Sequence, residues 1–305
     1  MRVAIAGSGS VARYFAEEFP ATGIDVVILT RSFKPEFEKL VGVRQFVTDY
    51  SIPSILEGIE GSSTLISAIL DYKPAFVEVH RRLIEAAKRS ITCKRFIPAE
   101  YGGNLEDFPD QPAFYSRLQG VIRKELAEQD ELEWTLLCTG WFVDYIVPSR
   151  NRILQHEGDA IPVNVETETM LIPGTGKEPL DLTSARDVAR AVAKLLRAPR
   201  WERHTYLSAE KSSWNDIAAL MQEKYPQMSV EHRSLNQLID DIVAHPNPEG
   251  EERITAEYGI FSASHAGSLP ADKVAAHREK YFSGIRFRTA RDLLAEVERD
   301  PQGIV

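Results

Sequence analysis

The sequence predicts an α/β protein with a doubly wound parallel sheet and a smaller, discontinuous α+β lobe over the carboxyl ends of the strands. Three observations support this fold class. Strand and helix patterns alternate from the first residues to about residue 140. The strand segments are nearly continuous apolar runs, which is typical of a parallel sheet covered by helices on both faces. A glycine-rich turn joins the first strand to the first helix.

The first half of the chain contains the regular part of this pattern. Apolar runs predict six strands, at 3–7, 25–31, 43–49, 63–69, 94–100 and 133–140. Apolar residues at helical spacing predict helices at 10–19, 74–90 and 112–129. Pro74 suits the first turn of the second helix. Tyr115 and Gln119 are four residues apart on the third helix, so we expect them to share a face.

The pattern loosens after Gly140. The Pro-, Gly- and Thr-rich segment 161–183 predicts short strands and turns. The later patterns predict a helix at 184–198, a strand at 204–210, a helix at 213–226 and a loop at 243–253. The second half therefore indicates a lobe placed over the sheet edge where ligands bind in open α/β folds.

Composition limits the class of function. The 305 residues carry a net charge of −9 with a pI near 5.4, and no basic cluster suggests binding of nucleic acid. The chain begins with the strand "MRVAIAG" rather than a signal peptide or membrane span, so we expect a cytoplasmic protein. Cys93 and Cys138 adjoin predicted core strands and indicate two buried free thiols. The seven histidines show no metal-ligating spacing, so we expect no metal site. The oligomeric state stays open.

The turn after the first strand has the form G-x-G-x-x-A, with Gly7, Gly9 and Ala12. A strand precedes it and a helix follows it, which is the context in which this motif binds a dinucleotide. Gly7 permits the tight turn, Gly9 lets backbone N–H groups approach a pyrophosphate, and Ala12 allows close helix packing. The helix N-terminus offers free N–H donors and a partial positive charge to the phosphates.

The end of the second strand indicates which dinucleotide binds. An acidic residue at this place binds the ribose hydroxyls of NAD(H). Here the residue is Arg31, with Lys34 nearby. A guanidinium pairs with a 2′-phosphate, which a carboxylate would repel. The sequence therefore predicts NADP(H) as the cofactor.

Five segments together resemble the NmrA-like and isoflavone-reductase-like branch of the atypical short-chain dehydrogenases. They are "GSGSVARYF", "TRSFKP", "LISAI", "KRFIPAEYGG" and "WTLLCTGWFVDY", and the resemblance covers about residues 1–210. It implies a Rossmann-type NADP(H)-binding domain over 1–150, completed by about 181–212, and a mainly substrate-binding lobe over 151–305. It also implies a hydrophobic, aromatic or alkaloid-like substrate in fungal secondary metabolism.

The resemblance also implies site residues. The cofactor loop matches at Gly7, Ser8, Gly9, Ser10 and Val11, and the 2′-phosphate arginine at Arg31. Ala68 and Ile69 match the segment beside the adenosine and the ribose nearest the nicotinamide, and Pro98, Ala99 and Glu100 match the segment next to the nicotinamide. Gly140, Trp141 and Phe142 match the loop that borders nicotinamide and substrate.

The resemblance departs from the family pattern at Gln119, which falls where the plant reductases carry a catalytic lysine. Tyr115 is our candidate proton donor or hydrogen-bond donor, and Glu100 and Asp144 are weaker acid–base candidates. Asp144 has the alternative role of capping or beginning the helix after "TGWFV", and Tyr101 is better explained by packing. Trp141, Phe142 and Tyr145 are expected to line an apolar substrate pocket.

Two functional hypotheses remain open from the sequence. One is an NADP(H)-dependent enzyme, which either reduces a C=C, C=N or C=O bond or acts as a redox-assisted cyclase or isomerase. The missing lysine makes a redox-assisted cyclase or isomerase a stronger candidate here than it is for the family in general. The other hypothesis is an NADP(H)-binding redox sensor without turnover, since some NmrA-like proteins work in this way.

Overall fold

The structure is a computed structural model that describes residues 1–305. Its strands are β1 (Arg2–Ala6), β2 (Asp25–Thr30), β3 (Val43–Val47), β4 (Thr64–Ser67), β5 (Arg95–Ile97), β6 (Glu133–Trp134), β7 (Leu136–Cys138), β8 (Trp141–Phe142), β9 (Val163–Asn164), β10 (Thr169–Pro173), β11 (Pro179–Thr183), β12 (His204–Tyr206), β13 (Glu210–Ser213) and β14 (Ser229–Arg233). Its helices are α1 (Ser10–Glu18), α2 (Pro35–Glu38), α3 (Ile52–Gly58), α4 (Ala75–Arg89), α5 (Phe114–Arg117), α6 (Gln119–Ala127), α7 (Ala185–Leu195), α8 (Trp214–Lys224), α9 (Leu235–Ala244), α10 (Glu251–Ser262), α11 (Ala271–Phe282) and α12 (Ala290–Arg299).

Six parallel strands form the central sheet in the order β3-β2-β1-β4-β5-β6. The strand predicted at 133–140 is interrupted at Thr135, and its second part, β7, pairs in parallel with β12. This strand order, with a crossover after β3, is that of a Rossmann-type fold. The predicted fold class is confirmed.

The two faces of the sheet bury different cores. Val3 and Ile5 of β1 belong to one core, which includes residues of α1 and α7. Ala4 and Ala6 belong to the other, which includes residues of α3, α4 and α6. Successive side chains of a strand point to opposite faces, and both faces are covered. This explains why the strands read as continuous apolar runs.

The second half builds two small sheets, β14-β10-β9 and β13-β11-β8. The short strands expected within 161–183 are present as β9, β10 and β11. Helices α9 and α10 pack together, whereas α11 packs against α7 and β12. The loop expected at 243–253 is present between α9 and α10, although α10 already begins at Glu251.

The helix predicted over 112–129 is wrong in one respect. The structure has two helices, α5 and α6, separated at Leu118, where φ is −119° and ψ is −79°. Leu118 is buried in the core on the α4 side of the sheet. Helical periodicity could not reveal the break, because the apolar spacing continues through it.

Three further observations complete the fold. Cys93 and Cys138 are free and buried, as predicted, and burial raises the pKa of each thiol to about 12. No group of three or more His, Cys, Asp or Glu side chains is arranged to hold a metal ion. None of the twelve helices combines the length and apolar character that crossing a bilayer requires.

Candidate functional site

Two adjoining cavities lie at the carboxyl ends of β1, β4, β5 and β7. The larger, about 890 Å³, follows the glycine-rich turn and is here called the polar cleft. The smaller, about 160 Å³, is here called the aromatic cavity. The two share five wall residues, namely Val11, Ala68, Ile69, Leu70 and Glu157. A ligand that fills the polar cleft therefore reaches the wall of the aromatic cavity.

The glycine-rich turn forms an open cradle in the polar cleft. Gly7 has φ +103°, and a Cβ at this residue would lie 3.0 Å from the carbonyl oxygen of Ala68. At Gly9, by contrast, no atom lies within 4 Å of a Cβ position. Gly9 precedes α1 without any side-chain cap, and the N–H groups of Ser10 and Val11 have no hydrogen-bond partner in the chain. These free donors at a helix N-terminus suit a phosphate group.

Tyr50 stabilises this turn through hydrogen bonds, a role that the sequence analysis did not predict. The Gly7 N–H donates to Leu29 O and to the Tyr50 hydroxyl, at 3.0 Å each, and that hydroxyl donates to Leu29 O at 2.7 Å. Ser8 Oγ accepts a hydrogen bond from Thr30 Oγ1 at 3.1 Å. Burial raises the pKa of Tyr50 to about 12, so its hydroxyl stays protonated. No local pattern around Tyr50 indicates this role.

Basic side chains line the outer part of the polar cleft. Arg31 and Lys34 are both there, as expected, together with Arg13 and Arg82. Arg31 is exposed and forms no ion pair, whereas Arg13 pairs with Glu17 at 3.1 Å. Arg82 was missed because it lies on the solvated face of α4. The free donors and an unpaired guanidinium fit a dinucleotide that carries an additional phosphate.

The aromatic cavity differs sharply in composition. Sixteen of its 22 lining residues are hydrophobic, and they include Trp141, Phe142 and Tyr145 of the predicted substrate loop. Trp141 packs against Tyr258, with ring centroids 5.8 Å apart, and against Phe261 at 5.7 Å. The last two residues come from α10. Nothing in the local sequence connects α10 with the cavity, so these contributions were missed.

Tyr72 adds a second contact between distant segments. Its hydroxyl lies 3.1 Å from the hydroxyl of Tyr258, and both rings line the aromatic cavity. Desolvation by burial raises the pKa of Tyr72 to about 12 and raises that of Tyr258 further. Both side chains therefore act as neutral phenols that can donate or accept a hydrogen bond.

Tyr115 and Gln119 both line the aromatic cavity despite the break at Leu118. The Tyr115 hydroxyl donates to the carbonyl oxygen of Glu100 at 3.1 Å. Burial, and next the nearby Glu100 carboxylate, raise the pKa of Tyr115 well above its usual value. Tyr115 is thus a neutral hydrogen-bond donor, and not a phenolate base. Gln119 is 3% exposed, and its Oε1 has no hydrogen-bond partner.

Glu100 lines the cavity but its carboxylate is already paired. Its two oxygens accept hydrogen bonds from Arg123 at 2.9 and 2.8 Å. The same guanidinium lies 5.1 Å from the centroid of the Tyr115 ring. This pairing argues against Glu100 as a free acid or base. Tyr101 donates from its hydroxyl to Ser67 O at 2.8 Å, which agrees with the packing role considered for it.

Asp144 is not part of either cavity. It is fully buried, and Oδ2 accepts a hydrogen bond from the backbone N–H of Ala185 at the start of α7, at 2.9 Å. Desolvation by burial raises the pKa of Asp144 to about 6. Its position corrects the catalytic role considered for it, because a carboxylate that caps a buried helix end cannot reach a ligand in the cleft. Asp144 also lies in a short 3₁₀ helix, Val143–Ile146, which is the helix considered for it from the sequence, but the helix end that it caps is that of α7.

The remaining predicted positions divide between the two cavities. Gly7, Ser8, Gly9 and Ser10 line the polar cleft, while Ala99 and Gly140 line the aromatic cavity. Gly140 has φ +64°, and a Cβ there would lie 2.0 Å from the carbonyl oxygen of Asp181, so only glycine fits. Pro98 is buried and lines neither cavity.

Comparison with known proteins gives a consistent result. The family model described as the NmrA-like family matches residues 2–279. Oxidoreductase swnR from Arthroderma benhamiae is 46% identical over 308 residues and covers 100% of both chains. The leucoanthocyanidin reductase–NADPH complex from Vitis vinifera superposes with a TM-score of 0.73 at 17% identity, covering 97% of this chain and 99% of that one. AtPrR2 with NADP⁺ and (+)pinoresinol superposes with a TM-score of 0.72 at 17% identity, covering 96% and 97%. At such identities the structural likenesses show the fold alone.

Proposed function

The chain belongs to the NmrA-like family, and we propose that it is an NADP(H)-dependent oxidoreductase acting on a small aromatic or alkaloid-like molecule. The observation that carries the proposal is the shared wall of the two cavities. A dinucleotide held by the turn at Gly7 and Gly9, with its extra phosphate bound by Arg31, would be long enough to reach Ala68 and Ile69 at the shared wall. These residues would then lie beside its nicotinamide end, next to the aromatic cavity. The relatives are consistent with this, since one is named an oxidoreductase and a structural neighbour was solved with NADPH.

NADP(H), when bound, donates or accepts a hydride, and the side chains determine which bonds are suitable. The aromatic cavity contains no lysine, arginine or histidine, and of its two carboxylates Glu100 is paired with Arg123, while Glu157 lies at the boundary with the polar cleft. Gln119 can hydrogen-bond a ligand but cannot transfer a proton near neutral pH. The neutral Tyr115 phenol already donates its one proton to the carbonyl oxygen of Glu100, so its oxygen can accept a hydrogen bond from a ligand.

This set of side chains favours a reaction with little demand for proton transfer. Hydride addition to a cationic C=N bond yields a neutral amine without a proton, whereas reduction of C=O requires one at oxygen. A redox-neutral cyclisation or isomerisation, with hydride removed and returned, makes a similarly small demand. We therefore favour reduction of a C=N bond, or a cyclisation assisted by reversible hydride transfer, over simple carbonyl reduction.

Purified protein with NADPH tests the proposal against a panel of cyclic imines, enones and aromatic ketones, with consumption of NADPH and product mass as readouts. We expect turnover of a cyclic imine. Tight NADPH binding without turnover of any member of the panel would support the redox-sensor alternative instead.

Variants at position 119 test the role of the amide. Gln119→Ala should weaken ligand binding while leaving measurable turnover, because no proton passes through the amide. Gln119→Lys should change the rate by less than about tenfold, whereas loss or gain of a positioned acid–base group is typically about 10²–10⁴-fold. A hundredfold gain in Gln119→Lys would instead identify an impaired version of the lysine-dependent reductase site.

A further inference from the structure

The aromatic cavity has an unbalanced charge. Nine of its 22 lining residues are aromatic, none is a lysine, arginine or histidine, and its two carboxylates are Glu100 and Glu157. Arg123 neutralises Glu100 through two hydrogen bonds. Glu157 is an exposed residue without such a pair: no hydrogen bond or ion pair reaches its carboxylate, and the adjacent His156 is the one group whose charge favours its ionised form. Glu157 is therefore the one carboxylate of the cavity wall that no guanidinium or ammonium neutralises.

The segment that leads to Glu157 is bound to α1 through Ile153. Ser10 Oγ donates to Ile153 O at 3.1 Å, and the Ile153 N–H donates to the Tyr14 hydroxyl at 3.0 Å. This anchor brings Glu157 to the boundary where it lines both cavities. Desolvation raises the pKa of Glu157, and the Glu157 charge in turn contributes to raising the pKa of Tyr145 and Tyr72. The carboxylate is thus close to two aromatic rings of the cavity.

A second, independent observation concerns the Gln119 amide. The Gln119 side chain is 3% exposed and lines the cavity, yet its Oε1 has no partner within the chain. A buried amide without partners costs free energy unless a ligand completes its hydrogen bonds. Aromatic faces add to this by attracting cations within about 6 Å of the ring centroid.

From this geometry we propose that Glu157 is the counter-charge that selects a cationic ligand, a protonated amine or an iminium nitrogen, in the aromatic cavity. The inference deepens the proposed function and rests on it. Glu157 is a specificity-determining residue at the boundary of the cavity, the aromatic rings surround the apolar part of the ligand, and Gln119 hydrogen-bonds it. A neutral aromatic compound of the same shape lacks the interaction with Glu157.

The nicotinamide ring is a competing partner for Glu157, because it is positively charged in its oxidised form. The two assignments differ in a measurable way. If Glu157 serves the nicotinamide, Glu157→Gln changes the ratio of the affinities for NADP⁺ and NADPH in the absence of any other ligand. If it serves the substrate, that ratio stays the same.

The test uses phenyltrimethylammonium and its neutral carbon isostere, tert-butylbenzene, as probes of the NADPH-bound protein. Calorimetry gives their affinities, and NADPH fluorescence reports cofactor binding separately, so failure of the proposed cofactor site is visible on its own. We expect the native chain to prefer the cation by about tenfold, and Glu157→Gln to reduce that preference to about threefold or less.

Asp159→Asn is the matched control. Asp159 is exposed and lies in the same short turn, but it lines neither cavity. This variant should keep the native preference, which would exclude a general effect of net charge. Equal affinities of the native chain for both probes would overturn the inference. So would an undiminished preference in Glu157→Gln, or an altered NADP⁺ to NADPH ratio in that variant.

Discussion

The polar cleft and the aromatic cavity share a wall but are built in opposite ways. The polar cleft is made chiefly by short contiguous segments at strand ends, and its central element is backbone: free N–H groups of the turn that includes Gly9. The aromatic cavity is made by side chains, and its walls come from segments as distant as Tyr72, Trp141 and Tyr258. The first binds a ligand through fixed, local geometry. The second depends on how separate elements pack, which allows its shape to change without altering the first.

Gly9→Val should produce the largest effect on ligand binding, confined to the polar cleft. A Cβ at this position meets no atom within 4 Å and the backbone has an ordinary φ of −82°, so the variant should fold normally. Its side chain would occupy the approach to the N–H donors and should weaken NADPH binding by about 100-fold or more, equivalent to about 2.7 kcal/mol. Fluorescence titration measures the affinity and thermal melting the stability. A large loss of melting temperature would show that the residue serves the fold instead.

Arg31→Ala tests whether Arg31 gives the polar cleft its preference for NADPH over NADH. Each charge-assisted hydrogen bond to a 2′-phosphate should contribute about 1.5–3 kcal/mol, so the native chain should bind NADPH at least about tenfold more tightly than NADH. The variant should lose most of that difference while keeping its affinity for NADH. Lys39→Ala is a suitable control, because Lys39 carries the same charge nearby in the chain but is exposed and lines neither cavity. Equal native affinities for the two dinucleotides would contradict the assignment of Arg31.

Tyr258→Phe should act on the aromatic cavity alone. The substitution removes the hydroxyl that lies 3.1 Å from that of Tyr72 and keeps the ring against Trp141. This hydrogen bond joins two rings of the cavity wall and is worth about 1 kcal/mol, so a ligand that needs both rings in place should lose at most about fivefold in affinity. NADPH affinity, measured in parallel, should not change. A matching loss of NADPH affinity would mean that the two cavities are less independent than their construction indicates.

Asp144→Asn should leave binding in both cavities unchanged and affect only the pH dependence of stability. Burial raises the pKa of Asp144 to about 6, above its unfolded value of 3.8. The folded state therefore binds the proton more tightly, and the free energy of unfolding falls as pH rises between these two values. Asparagine can still accept the bond from Ala185 and does not titrate. Thermal melting across that interval should show the native chain losing stability relative to the variant as pH rises, and a constant difference between their melting temperatures would refute the assignment.

The same contrast explains why the sheet and the polar cleft could be predicted from the sequence, whereas much of the aromatic cavity could not. The alternating apolar runs predicted the sheet, and the turn at Gly7 and Gly9 predicted the polar cleft, because each depends on residues adjacent in the chain. Tyr258 and Phe261 could not be predicted for the aromatic cavity, since only tertiary packing brings α10 to it. The pairing of Glu100 with Arg123 joins a strand end to the middle of α6, and the burial of Asp144 depends on α7. No periodicity encodes such contacts.

The shared wall has a thermodynamic consequence. Val11, Ala68, Ile69 and Leu70 border both cavities, so an occupant of one forms part of the surroundings of the other. Ligands in such contact are linked by a coupling free energy, and linkage is reciprocal: if the small ligand tightens dinucleotide binding by some factor, the dinucleotide tightens the small ligand by the same factor. The supply of dinucleotide in the cell would then set the effective affinity for the second ligand. Capture of that ligand would follow cellular redox supply without any separate regulatory site.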